Sequence, residues 1–360
     1  MNNPLNSKTL SYFELSKSIA LKQYNLVEPL VDIMSYSSKT NSLITPILED
    51  NTSSLFSIHF LAELQHVKDK SRVFYLAQAW TKEEILFLFE QGVRSFCLDN
   101  KPDLDLFLEI LPTQPTILVS LFLRLRLKEN TIRTEKYFVF GMKSKELNAS
   151  IQEINSLALQ SQITTLGVHM HRKTQNMAEW NYVEELEDEL DSRTMDIISV
   201  LNVGGGLPSK YANTNEQVLQ SIFKKLSSLK TFCNEKNIQL MIEPGRFISA
   251  PALSLHTTIR QVYGSTIIVD ASVYNTDMDA LIVPVKLLVR GELSKEEAKK
   301  QNISAYAIKG ITPCSLDLFR YKVYYVNPKI GDELVFENAG AYNFTTTFCD
   351  LPTIPTKVVQ

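Results

Sequence analysis

Short apolar runs alternate with amphipathic segments along most of this chain, and that rhythm narrows the available folds more than any other feature. Between residues 27 and 250 the runs LVDIMSYS, SLFSIHF, RVFYLAQ, SFCLDN, ILVSLFLRLRL, TTLGVHMH, IISVLNVGGG and IQLMIEP read as strands. Helical segments with apolar residues three and four apart separate several of them. TKEEILFLFEQG ends at Gly92 and EQVLQSIFKKLSSLKTFCNEKN at Asn237, both residue types that suit a helix C-cap. Strand then helix, repeated about eight times, is the pattern of a parallel α/β fold. About eight units suit a closed, TIM-like (β/α)₈ barrel better than an open sheet.

Past about residue 255 the texture changes. TTIRQVYGSTIIVDAS, ALIVPVKLLVRG, SAYAIKG, FRYKVYYV, DELVFENAG and AYNFTTTF read as strands joined by turns, with few helices, and Pro352 and Pro355 break the tail. The pattern predicts an α/β protein with a barrel over 26–252, followed by a C-terminal β-domain, a sandwich or barrel, built from 253–360 together with 1–25. At 360 residues, with 44% hydrophobic and 21% charged residues, the chain is long enough for both and needs no staples. A net charge of −3 gives no electrostatic case for nucleic acid or an acidic membrane. No apolar run reaches the ~18 residues of a membrane span. Cys97, Cys233, Cys314 and Cys349 form no Cys-x-x-Cys unit, and no basic segment precedes an apolar core at the start. The expectation is a protein of the reducing cytoplasm.

Four segments carry chemistry. LNVGGGLP ends a strand with Gly204, Gly205 and Gly206, where backbone N–H groups stand clear of any Cβ, as at a phosphate loop; a tight turn is the structural alternative. In MIEPGRFISAPA, Glu243 stands at the end of the next strand, with Gly245 and Arg246 after it. The two charged groups either pair with each other or serve a ligand, Arg246 a phosphate and Glu243 a protonated ring nitrogen. IMSYSSKTNS places Lys39 just past an early strand; it is either a solvated loop lysine or, beside such a site, a Schiff-base lysine. GVHMHRKTQN puts His169 and His171 on one face of a strand. That spacing suits a metal, but no third ligand accompanies the pair, and no metal site is expected.

Taken in order, these segments resemble the pyridoxal-phosphate-dependent decarboxylases of alanine-racemase-like fold, the ornithine, diaminopimelate and carboxynorspermidine decarboxylases. Tyr36-Ser-Ser-Lys39-Thr-Asn41 is similar to the family's Y-x-x-K-x-N, and GVHMHRKTQ to its G-x-H-x-H-x-G-S-Q. GGG and E-P-G-R stand unaltered, and GDELVFENAGAY meets G-D-x-x-x-F-E-x-x-G-A-Y in full. The resemblance implies pyridoxal 5'-phosphate as cofactor, with Lys39 as its Schiff-base lysine. His171 would lie against the ring, with His169 supporting it, and Glu243 would hold the ring nitrogen. Gly204–Gly206, Gly245, Arg246, Thr174 and Tyr342 would hold the phosphate, and Arg124 would stand nearby. GITPCSLDLF resembles the loop that reaches a neighbouring subunit's active site, which makes Cys314 and Asp317 catalytic candidates and a homodimer with shared active sites the expected assembly.

Some positions depart from the family. Thr174 replaces its serine, Lys173 its glycine, and FSIHF puts Ser57 where many members have an acid, with His59 two residues on. Cys314 and Asp317 are closer together than usual. The resemblance implies decarboxylation of an amino acid carrying a second polar group, a diamino acid or carboxy-polyamine. Asp277 and Asp279 either take a distal ammonium or serve a turn. The ornithine branch's Y-D-H-A-H and the diaminopimelate branch's Cys-Glu are missing, while the DAS spacing and TTTF look somewhat like the carboxynorspermidine branch. A racemase of the same fold, and an inactive regulatory relative, are the alternatives.

Overall fold

A computed structural model describes residues 11–127, 140–214, 217–343, 346 and 348–360. The Cys349 side chain and two of the threonines in TTTF lie outside the described residues. The chain divides into two compact units. One takes Tyr24–Pro208 and Gln217–Gly245; the other takes the described parts of Met1–Gln23, Ser209–Glu216 and Arg246–Gln360. The short 209–216 segment therefore belongs with the second unit, which a single unbroken 26–252 barrel does not anticipate.

After β1 (Tyr12–Ser16), the first unit runs through β2 (Ile33–Ser37), β3 (Leu55–Ile58), β4 (Val73–Ala77), β5 (Ser95–Leu98), β6 (Val119–Arg124), β7 (Ile163–His169), β8 (Val200–Asn202) and β9 (Gln239–Ile242). β2 to β9 pair in sequence order, all parallel, and β9 closes on β2. The eight strands expected from the sequence are all present. Gly92 and Asn237 have φ of 88° and 57°, the left-handed geometry that ends a helix.

Inside the barrel, Phe74, Cys97, Phe122, Val200 and Met241 form a buried cluster drawn from five strands. Phe122 meets Phe74 edge-on at 5.0 Å. Gly167 on β7 makes room for it, since a Cβ there would lie 2.4 Å from the Phe122 ring. Burying each such side chain contributes about 1.5–3 kcal/mol, and the filled interior makes the strand ends a rigid platform.

The second unit holds a mixed sheet. β10 (Leu253–Tyr263), β11 (Thr266–Val269), β12 (Leu288–Val289), β13 (Ala305–Lys309), β14 (Leu318–Tyr324) and β15 (Glu333–Glu337) pair in the order β12-β15-β10-β11-β13-β14. β1 joins β10 antiparallel and β16 (Thr356–Val359) parallel. Three expectations change here. ALIVPVKLLVRG keeps only β12 as strand, because Asp279–Ile282 is a helical turn anchored by its first carboxylate. In AYNFTTTF, Tyr342 turns into the left-handed region (φ 57°), and the described residues Ala341–Asn343 form a bend. The tail does not end at its prolines: Pro355 is followed by β16, an edge strand where a missing N–H costs nothing.

Candidate active site

The C-terminal ends of the barrel strands collect the polar side chains, the usual place for chemistry in this architecture. Glu243, one residue past β9, is buried. Its Oε1 accepts from Asn202 Nδ2 at 2.7 Å and lies 3.1 Å from His169 Nε2. Burial pushes its pKa up, but the His169 contact and the Ser57 hydroxyl outweigh this, and the carboxyl is held well below its usual range. His169 is lowered as well, by burial against the pull of Glu243. The pair is therefore a neutral imidazole beside a carboxylate. His169 supports Glu243, a contact that the sequence reading did not anticipate.

His171 Nδ1 accepts the Gly205 N–H at 3.0 Å, which leaves the proton of the neutral ring on Nε2. Burial first, then the positive charges of Arg124 and Lys39, push its pKa well below the ordinary value. The glycine loop is shaped around this ring. A Cβ on Gly204 (φ 66°) would sit 2.5 Å from the Met170 carbonyl and 2.8 Å from His171 Nδ1, and one on Gly205 would sit 2.8 Å from the Glu243 carbonyl. Gly204 N–H donates to Asn202 Oδ1 at 2.9 Å. The N–H groups of Gly204 and Gly205 are thus both taken up inside the protein. Gly245 has a related reason: a Cβ there would lie 2.1 Å from Thr40 Oγ1, in the turn that carries Lys39.

Lys39 extends from the short 3-10 turn Ser38–Thr40 after β2. Its side chain is exposed and pairs with no carboxylate among the described residues. The enclosing protein still lowers its pKa, against the pull of Glu243 and Glu63. Arg124, at the end of β6, pairs with Asp99 at 3.1 Å. Thr174 and Lys173 are half-buried in the loop after β7. Arg172 turns the other way. It is buried, lies 2.9 Å from Glu179, pairs with Glu185, and stacks over Tyr182 at 5.6 Å. Its charge thus pins the 179–185 segment. Among the described residues no three His, Cys, Asp or Glu side chains converge as a metal-binding group.

The second unit carries its own polar cluster. The Arg246 guanidinium is gripped by both oxygens of Asp279, Nη2 to Oδ1 at 2.8 Å, and donates to Tyr211 Oη at 2.8 Å. The Tyr342 ring lies 5.3 Å away. Asp277 is buried beside them, and neither of its side-chain oxygens has a hydrogen-bond partner among the described residues. Burial and the neighbouring Asp279 push its pKa well above the carboxylate range.

Cys314 Sγ lies 2.9 Å from Tyr274 Oη, a bond that lowers the thiol pKa. Asp317 is fully buried and accepts from the Val273 and Thr312 N–H groups at 2.9 and 3.0 Å and from the Thr312 hydroxyl at 2.6 Å. Those three bonds brace the loop that carries Cys314. Sequence reasoning missed Asn202, Asp99, Glu63, Tyr211 and Tyr274. Only their positions at strand ends or in the segments that follow offered a signal.

Comparison with known structures places this architecture. Lysine/ornithine decarboxylase from Vibrio vulnificus complexed with putrescine is 17% identical, with a TM-score of 0.79 over 99% of this chain and 96% of that one. Diaminopimelate decarboxylase from Helicobacter pylori complexed with L-lysine gives 18% and 0.77 over 99% and 93%. The arginine decarboxylase of Paramecium bursaria Chlorella virus bound to agmatine gives 18% and 0.75 over 99% and 97%. These share the barrel-plus-sheet fold. Among curated proteins none matches the sequence. Residues 52–250 match the pyridoxal binding domain of the pyridoxal-dependent decarboxylases, and the chain belongs to that family. It is a carboxy-lyase whose cofactor is pyridoxal phosphate. Lys39, Cys314, Asp317 and Tyr342 lie outside the matched residues.

Proposed function

We propose that the protein removes the α-carboxylate of an amino acid with a second polar group on its side chain, using Lys39, Glu243 and His171. The observation that carries this reading is Lys39: an amine with a lowered pKa and no partner carboxylate among the described residues, at strand ends that also present a buried Glu243 whose pKa is held low. Pyridoxal phosphate, when bound, supplies an electron sink for the pair left on the α-carbon as carbon dioxide departs. These residues fit such a group. The lowered pKa makes the neutral, nucleophilic amine of Lys39 easier to reach than that of a solvated lysine. Glu243 stays anionic because Asn202, Ser57 and His169 satisfy it, so it can hold a ring N–H through charge. His171 is kept neutral and oriented by Gly205, so it presents an uncharged flat face. Its remaining Nε2 proton is available to a polar substituent.

The Gly206 N–H, the Thr174 hydroxyl, Gly245, Arg246 and Tyr342 are assigned to the phosphate by resemblance. Asp279 and Tyr211 set the Arg246 fork. Arg246→Lys loses that bidentate geometry and is expected to weaken cofactor binding at least about tenfold, measured by titrating the cofactor-free protein. Asp317 braces the loop that carries Cys314, with Ile311 at 45% exposure and Leu316 at 65% on the same loop. Apolar side chains of this kind suit a second subunit, and a homodimer is expected in analytical ultracentrifugation. Substrate choice is tested by carbon dioxide release from ornithine, lysine, arginine, diaminopimelate and carboxynorspermidine. Release from one or more of them is expected, and inertness of all five would overturn the substrate class.

A further inference from the structure

His59 is a half-buried histidine whose Nδ1 is buried and unsatisfied among the described residues, and it has no part in the roles above. Its place follows from strand register. β2 and β3 are parallel neighbours with Ser37 opposite Ser57, so Lys39 and His59 each stand two residues beyond that pair, at adjacent strand ends. The turn Ser38–Thr40 that carries Lys39 packs against both β3 and the 3-10 segment Leu61–His66. That segment returns Glu63 to His59: Oε2 lies 3.7 Å from Nδ1 and accepts the His59 backbone N–H at 3.4 Å. Nδ1 has no hydrogen-bond partner. A carboxylate on the Nδ1 side favours the tautomer with its proton there, leaving the Nε2 lone pair as acceptor. Meanwhile Ser57, between the two elements, is taken up by Ser35 at 2.8 Å and by Glu243. No acid stands at position 57 to manage the lysine's proton.

We propose that the His59–Glu63 dyad is the proton acceptor for Lys39. The transfer breaks an N–H bond of the Lys39 ammonium and forms one at His59 Nε2. The charge passes to the imidazole, where the Glu63 carboxylate opposes it, and the amine keeps its lone pair for bond formation. The reverse step reprotonates the amine when it leaves. The charged groups facing this exchange are Lys39, Glu63 and Glu243, with Arg124 acting on Lys39. Burial lowers Lys39 and His59 alike, so the Lys39 ammonium holds its proton less tightly than it would in water. His59 is thus a positioning and proton-transfer residue acting through Lys39, and the inference rests on Lys39 being the cofactor's anchor.

The test follows the rise of absorbance near about 420 nm, the expected Schiff-base band, when pyridoxal phosphate is mixed with cofactor-free protein across pH 6.5–10. In His59→Gln the band should form to full amplitude but on the order of 10²-fold more slowly at neutral pH. The deficit should close at high pH, where the amine is already neutral. Glu63→Gln, which keeps the imidazole, should show a smaller deficit with the same pH trend, and it carries the test if His59→Gln does not fold. Unchanged rates in the folded variants, or a deficit independent of pH, would overturn the dyad's role alone. A wild-type protein that forms no band would overturn the Lys39 reading, and this one with it.

Discussion

Glu243 and Asp277 show how neighbours decide the state of a buried carboxyl. Glu243 has an amide, a hydroxyl and an imidazole beside it, and its pKa is held low; Asp277 has another carboxylate beside it and, among the described residues, no hydrogen-bond partner for its side-chain oxygens, and its pKa is pushed up. Glu243→Gln keeps the shape and removes the charge. We expect the 420 nm band (approximately that wavelength) to persist while kcat falls on the order of 10²–10³-fold, with KM changed far less. For Asp277 the folded pKa lies above the unfolded one. The unfolded chain therefore ionises first, and stability falls as pH rises from about 4 through the raised folded value. Asp277→Asn should abolish that fall. A gain of about 1–3 kcal/mol near neutral pH, vanishing below about pH 4, would be read from urea midpoints; an unchanged pH profile would show that Asp277 is not held neutral.

At the scale of elements, the loops after β7 and β8 depend on one another. The GGG run looked like a phosphate loop, yet two of its three N–H groups are spent inside the protein, and two of its glycines exist to let backbone and imidazole close in. Gly204→Ala is expected to cost roughly 1–3 kcal/mol and to loosen His171, because its Cβ meets the Met170 carbonyl. The basic pair beside the histidines has a structural half: Arg172→Met leaves Glu179 and Glu185 facing apolar surface. Since both glutamates keep some contact with water, the expected loss is about 1–3 kcal/mol, measured by chemical denaturation.

For the whole molecule, legibility followed how local each signal is. Eight short apolar runs and two helix stops announced the barrel, because a strand's composition and a left-handed Gly92 or Asn237 depend on nearby residues alone. The β-domain was legible as texture, but its ends were not. Asp279 starts a helical turn because Arg246, 33 residues earlier, meets it, and the tail becomes strand because β1 offers an edge. Lys39, Glu243 and Arg246 were visible through their motifs; Asn202, Tyr211 and Glu63 were not, since their meaning lies in what the fold brings to them.

Lys39 anchors the whole account, and spectroscopy reads it most directly. Purified protein supplied with pyridoxal phosphate should absorb near about 420 nm; Lys39→Ala should lose both that band and carbon dioxide release while remaining folded. A band of equal strength in Lys39→Ala, or none in the wild type, would contradict it.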